Sequence, residues 1–456
     1  MLFSLEKKSF KEILKLAIPV SIGQLGQISV GLADNLMVGH ITGEDGKLGT
    51  YSLAASSFAN SIFAIIMVFG IGVTLAITAL VAGSDKNTEK QKIANILNHS
   101  LVLCAIIGIL FSGLLALSSP LLENMNQPEK VVELAIPYFN IISFSLIPLM
   151  IFMGLKQFSE GLSHTKEPMM ISIGGNILNI FLNYLLIYGK FGFPEMGLNG
   201  AGIATLISRV FMAFMMFLMI KNSLSFQPYY TSLLKTKYQI TEFIRILKMG
   251  IPIGFQITFE VLAFAIASVM MGWLGAKEQA AHQVAIGLAT ATYLIASGLS
   301  TAATIKIGNY WNDKNFDMMR KTSKASLVLV LIFMGSCALI FMVFNQLLPQ
   351  IFSIDVEVIS IASQLLIIAA FFQLFDGASV VSQGLLRGIE DVNMPTINAF
   401  IAYAVIGLPG AFILGFVFNL GANGIWYALS AGLIYSAVAN NIRFTKLANK
   451  LQLKFE

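Results

Sequence analysis

The sequence predicts an all-α membrane protein of twelve spanning helices, arranged as two six-helix bundles related by pseudo-twofold symmetry. Three observations predict it: a shortage of charge, long stretches with no charge at all, and a repeat at half the chain length. Of the 456 residues, 56% are hydrophobic and only 12% charged. Soluble proteins carry roughly 25% charge. No Asp, Glu, Lys or Arg occurs between Lys47 and Asp85, between Glu278 and Lys306, or between Asp391 and Arg443. About 18 apolar residues suffice to cross the hydrocarbon core as a helix, and a soluble fold of this size needs charge to cover its outside.

Taken in order, Lys, Arg, Asp, Gly and Pro punctuate the chain into helices near 13–38, 52–82, 94–117, 132–156, 169–188 and 199–220. Six more follow near 243–272, 280–305, 324–346, 358–386, 395–418 and 424–444. The last charge-free gap is too long for one helix, and Asn419, Gly421, Asn423 and Gly424 divide it. The first apolar run continues to Asp34 with no small-residue cleavage site, which predicts a retained helix, not a secretory signal. Cys104 and Cys337 each lie in an apolar run and read as unpaired thiols.

Loop charge sets the orientation. With a cytoplasmic N-terminus, twenty-four Lys and Arg fall on the inner side and four (Lys47, Lys130, Lys190 and Lys277) on the outer, with Arg209 left inside a helix. The inner group runs from Lys7, Lys8, Lys11 and Lys15 through Lys156, Lys235 and Arg387 to Lys454. Both termini are then cytoplasmic, in a multi-pass membrane protein. The repeat supports the same count. Lys15-Leu-Ala-Ile-Pro19 matches Lys248-Met-Gly-Ile-Pro252, Gly161–Pro168 matches Gly388–Pro395, and Leu198–Ile203 echoes Leu420–Ile425. Six helices, an even number, separate the copies, so the halves are parallel repeats. The expected division is an N-lobe over 1–222, a cytoplasmic linker over 223–242 and a C-lobe over 243–456. Two such bundles can alternate access to a cleft.

Four charges fall well inside these helices, away from their ends: Asp34, Arg209, Glu260 and Asp376. Each costs about 2.5–3.5 kcal/mol at a helix centre, so the acids mark a polar cavity or an ion path. Gln24, Gln27, Gly31 and Asp34 share one helical face, as do Asn176, Asn179 and Asn183. Gln256 stands one turn before Glu260, and Gln373, Asp376 and Gln383 share a face. Amides inside a membrane either join helices or line a wet cavity. A carboxylate withdrawn from water holds a proton more tightly, and with amide oxygens it is a hard ligand suited to Na⁺. Competition among proton, Na⁺ and an organic cation for a few carboxylates is sufficient for antiport. Arg209 is read as structural, pairing with an acid or reaching the interface along its stem. The 21 methionines read mainly as filler between helices. His40, His99, His164 and His282 lack ligand spacing, and no phosphate-binding glycine–lysine motif occurs. Neither a cofactor nor a nucleic-acid partner is expected.

These residues resemble the multidrug and toxic compound extrusion family, MATE, in its NorM branch, over nearly the whole chain. The carrying segments are LAIPVSIGQLGQISVGLADNLMVGH with Asp34, GLKQFSEGLSHTKEPMM, and NILNIFLNYLLIYGKFGFPEMGLNGAGIAT. PIGFQITFE with Glu260, WLGAKEQAAHQVA, and FFQLFDGASVVSQGLLRG with Asp376 complete them. The resemblance implies export of cationic or amphipathic small molecules against Na⁺ or H⁺ by a monomer in the bilayer. It implies a C-lobe cation site at Glu260 and Asp376, where Na⁺ would bind, supported by Gln256, Gln283, Phe372 and Gln373. It implies an N-lobe acidic site, for a proton or substrate, at Asp34 with Gln24, Asn176, Asn179 and Asn183. Phe372 replaces an aromatic hydroxyl of some relatives, and Asn183 is an amide where one branch tends to have an acid.

Other classes fit less well. A lipid-linked saccharide flippase of related fold needs a basic cavity, and only Arg209 lies deep in a helix. An intramembrane enzyme needs a nucleophile with a base, or a metal set. A duplicated two-lobe chain favours alternating access over a channel.

Overall fold

The computed structural model describes residues 2–41, 47–86, 88–233 and 237–455, with side chains from residue 9 to residue 453 except 232 and 233. Lys235 lies outside the described residues, as do the side chains of Lys7, Lys8 and Lys454. The described chain is helical, with no strand among the described residues. Among the described residues, twelve long helices follow one another. They are α1 Leu2–Gly39, α2 Leu48–Ala82, α3 Lys90–Ser118, α4 Glu129–Gly161, α5 Lys166–Tyr188 and α6 Gly197–Asn222. Then come α7 Ile240–Leu274, α8 Ala276–Asn312, α9 Phe316–Val343, α10 Val356–Gly388, α11 Asn393–Val417 and α12 Gly421–Phe455. On length and composition, α1 to α11 can cross a membrane. α12 is as long but diluted by Asn423, Ser436, Asn440 and Asn441.

Local chemistry sets the ends of the helices that carry the site. Asp355 caps α10 by accepting from Glu357 N at 2.8 Å and Val358 N at 3.3 Å, satisfying first-turn donors. α5 stops at Gly189, whose φ of 61° suits a residue without a Cβ. Asn419 (φ 54°) and Gly421 (φ 57°) turn the chain between α11 and α12, as the asparagines and glycines there predict. α11 carries two π-helical stretches, Ile401–Gly407 and Ile413–Val417, on either side of Pro409, which has no N–H to continue the ladder. α4 is interrupted at Ser145, and its hydroxyl turns back to Ile142 O at 2.5 Å.

Several ends differ from expectation. α4 runs to Gly161 and α10 to Gly388, so Lys156 and Arg387, expected among loop cations, are buried in helices. Lys156 sits 3.8 Å from Glu160. The expected linker contains a short helix, Gln227–Leu233, and Tyr229 within it packs edge-on to Phe158 at 6.1 Å. α1 starts eleven residues early, and in that leader Phe10 packs against a core of Ile13, Leu16, Ala17, Phe444 and Ala448. Glu12 pairs there with Lys306 at 2.7 Å.

The chain forms two compact units. One comprises Ile22–Val81 and Lys86–Gly254, and the other Met1–Ser21, Ala82–Asp85 and Phe255–Glu456. We call them the N-terminal and C-terminal units; their boundaries fall inside α1, at and just beyond the end of α2, and inside α7. The repeat reappears in the packing within each. In the N-terminal unit, Thr78 Oγ1 donates to Gln157 O at 3.1 Å, and a Cβ on Gly161 would meet Val81 Cβ at 2.7 Å. In the C-terminal unit, Thr304 Oγ1 donates to Gly384 O at 2.9 Å, and a Cβ on Gly388 would meet Ile307 Cβ at 2.8 Å. The same glycine-dependent approach and the same threonine bond occur at the register of the Gly161–Gly388 match.

Candidate functional sites

Each unit contains a cavity of its own, with charged side chains set in a largely apolar wall. In the C-terminal unit a cavity of about 290 Å³ is lined by Glu260 and Phe264 of α7, Tyr293 of α8, and Phe372 and Asp376 of α10. Glu260 is 6% exposed and Asp376 5%, so both carboxylates are nearly withdrawn from contact with solvent. They lie close enough for their charges to act on one another, and the Tyr293 hydroxyl donates to Glu260. Among the described residues, no Lys, Arg or His forms an ion pair with either acid. Two like charges in a largely apolar wall are costly without a neutralising partner.

The surrounding shell is well bonded. Phe372 meets the Trp426 ring edge-on at 5.4 Å, and Trp426 Nε1 donates to His282 Nδ1 at 3.1 Å. That fixes the Phe372 wall. Gln373 is turned into the core, where Oε1 accepts from Thr292 at 3.2 Å and Nε2 donates to Met334 O at 3.3 Å. Gln373 therefore fastens α10 to α8 and α9 and does not line the cavity. Gln283 is exposed and donates to Ser268 at 2.9 Å, also off the cavity wall. Gln256 is buried, does not line the cavity, and has an Nε2 without a partner. Gln383 joins a polar chain through Ser379, which meets Ser436 at 2.7 Å, so it holds α10 to α12.

In the N-terminal unit a cavity of about 340 Å³ collects Asp34 of α1, Asn60 and Phe63 of α2, Tyr138 of α4, Asn179 of α5 and Arg209 of α6. Gln27, Gly31 and Asn176 also line it, so the predicted polar faces of the first and fifth helices do meet a common space. Gln24 does not line it, and its Oε1 is buried without a partner. Asn183 is fully buried and acts from behind: its Nδ2 donates to Asp34 Oδ1 and, at 3.1 Å, to Asn179 Oδ1. Asn179 continues to Thr205 at 3.4 Å. Arg209, read from sequence as structural, lines the cavity. Its Nη1 donates to Ser145 Oγ at 2.5 Å, and its guanidinium lies 5.3 Å from the Phe63 ring centroid. The break in α4 presents that serine to it.

Sequence reasoning missed Tyr293, Tyr138, Asn60, Thr205 and Phe63. None of them is charged, and they come from four different helices, α2, α4, α6 and α8, so no single stretch of sequence singles them out. Tyr293 brings to the cavity the aromatic hydroxyl that Phe372 lacks, and brings it from a different helix.

The MatE family model matches the chain twice, over residues 19–185 and 252–413, once in each sequence repeat. The "Multidrug resistance protein NorM" of Photobacterium profundum is 31% identical over 95% of this chain and 94% of its own length. The "Multidrug resistance protein MdtK" of Proteus mirabilis is 31% identical over 96% and 95%. Among solved structures, an outward-facing multidrug resistance MATE family transporter of the MOP superfamily superposes with a TM-score of 0.85 at 20% identity, covering 97% of both chains. A eukaryotic MATE transporter superposes with the same score, 0.85, over 99% of this chain and 100% of its own.

Proposed function

The chain belongs to the MatE family, and from that premise we propose that it is a multidrug efflux transporter which exports organic cations by antiport with Na⁺ or H⁺. The observation that carries this reading is the pair of buried carboxylates, Glu260 and Asp376, facing one cavity with no basic partner among the described residues. A cation or a proton must share such a site, and exchange of that species across the membrane is the driving event. Glu260, Asp376 and the Tyr293 hydroxyl supply hard oxygen donors for Na⁺. The Asp34 cavity is the site for an organic cation. The relatives named for multidrug resistance support the substrate class. The proposed working halves are 1–222 and 243–456, joined by 223–242, which alternate access as a monomer in a bacterial inner membrane with both termini cytoplasmic.

The test is expression in a drug-hypersensitive bacterial host. The intact chain should raise ethidium resistance and speed ethidium efflux, whereas Glu260→Gln and Asp376→Asn, at equal membrane abundance, should not. Full resistance in both variants would refute the coupling role of the pair.

A further inference from the structure

The cavity of the N-terminal unit holds both signs of charge, and they are not spent on each other. Asp34 takes its hydrogen bond from Asn183, and Arg209 gives its own to Ser145. Among the described residues, no carboxylate lies within ion-pair distance of Arg209, although Asp34 and Arg209 line the same space. A guanidinium has five N–H donors in a planar fork. Ser145 takes one, and Met67 Sδ lies 4.0 Å from Nη2, a weak acceptor at best. The Phe63 ring orients the guanidinium plane without consuming a donor. Around these poles, Asn176 Nδ2, Asn183 Oδ1 and Ser208 Oγ are buried without partners. Orphaned polar atoms are costly to bury, and here all three sit in or against the cavity wall. The rest of the wall includes Phe63, Ile142, Met153 and Met212, and the volume of about 340 Å³ falls in the range of small-molecule pockets.

We propose that this cavity is a two-pole binding site for zwitterions: Asp34 receives a cationic nitrogen, and Arg209 receives a carboxylate or another compact anion on the same molecule. Arg209 is thereby a specificity-determining residue, setting preference for amphoteric over purely cationic ligands. A simple cation leaves the guanidinium fork unfilled and faces its charge. A zwitterion fills both poles and brings no net charge into the membrane. This rests on the exporter reading only for what happens after binding; binding itself is measured on the purified chain in detergent micelles, so loss of transport and loss of binding are separate results.

Rhodamine 110, which carries a carboxylate beside its cationic ring system, and rhodamine 123, its methyl ester, form a matched pair of fluorescent probes. Fluorescence polarisation on the full-length chain should show rhodamine 110 bound more tightly than rhodamine 123. Arg209→Met should weaken rhodamine 110 by about tenfold or more, the scale of a bidentate charged contact, while rhodamine 123 binds as before or more tightly. Retained rhodamine 123 binding also reports a folded site. Arg209→Lys, which keeps the charge without the fork, should fall between Arg209→Met and the unaltered chain. Asp34→Asn should weaken both dyes. The proposal is overturned if the unaltered chain binds the ester at least as well as the acid. It is equally overturned if Arg209→Met, or Arg209→Lys should the methionine variant not fold, weakens both dyes equally or neither.

Discussion

The two units share a scaffold and differ in the chemistry they enclose. Thr78 with Gly161 and Thr304 with Gly388 make the same close helix approach. Yet one cavity carries a carboxylate, Asp34, a guanidinium, Arg209, and several amides, and the other sets Glu260 beside Asp376 with a tyrosine hydroxyl bonded to Glu260. Duplication kept the backbone packing, where glycine alone fits, and left the cavity-facing positions to diverge. The difference teaches a division of labour. A lone carboxylate pair demands a small exchangeable cation, whereas a cavity with both poles and with two orphaned amide atoms and an orphaned hydroxyl in or against its wall suits a larger ligand with its own polar groups.

The comparison can be broken at several points. The largest effect is expected from Glu260→Gln combined with Asp376→Asn: gradient-driven efflux should fall on the order of 100-fold, the scale of a lost coupling free energy, with the protein still folded and membrane-inserted. Comparable efflux would mean that the carboxylate pair is not the coupling site. Asp34→Asn comes next. It should weaken cationic substrate binding by roughly tenfold through loss of one charged contact, and the transporter should still respond to an ion gradient. Asn183→Ala removes two hydrogen bonds behind the wall and should lower stability by about 1–2 kcal/mol, read as a lower melting temperature in detergent. Tyr293→Phe keeps the ring and loses the hydroxyl on Glu260, and should shift the half-saturating cation concentration by about fivefold. Gly161→Ala and Gly388→Ala sharpen the shared half of the comparison. Each should cost about 1–3 kcal/mol by overpacking a helix contact, and the two losses should be similar. A large cost at one and none at the other would show that the scaffold is less symmetrical than its hydrogen bonds.

The all-α architecture was legible because a membrane leaves a coarse signature: charge-free runs, basic loops and turn residues at predictable places. Asn419 and Gly421 mark the α11–α12 turn in the sequence itself, because asparagine and glycine tolerate the positive φ that the turn requires. Buried acids were legible for the same reason, since a carboxylate in an apolar run has no ordinary explanation. Two kinds of feature were hidden. The roles of amides depend on rotation about the helix axis within a crowded interior, so Gln373, one turn from Asp376, and Gln283, on the helix that carries Tyr293, both bond elsewhere. Cavity residues drawn one each from several helices, such as Tyr293 and Tyr138, carry no periodic signal and are assembled only by tertiary packing, and the same packing gives Arg209, visible in the sequence as a charge, its place in the cavity wall. Helix ends drifted where polar residues were buried in pairs, as with Lys156 and Glu160, which look like loop charges in one dimension.

The central claim, that ion coupling resides in the Glu260–Asp376 cavity and not in the Asp34 cavity, is tested most directly by ethidium uptake into everted membrane vesicles. A lumen-high Na⁺ gradient is imposed first, and a lumen-acid pH gradient second. The account predicts that the unaltered chain accumulates ethidium under at least one gradient. The Glu260→Gln/Asp376→Asn chain should accumulate it under neither, and Asp34→Asn should still respond, at higher ethidium concentration. Gradient-driven uptake that survives the double substitution and disappears with Asp34→Asn would contradict it.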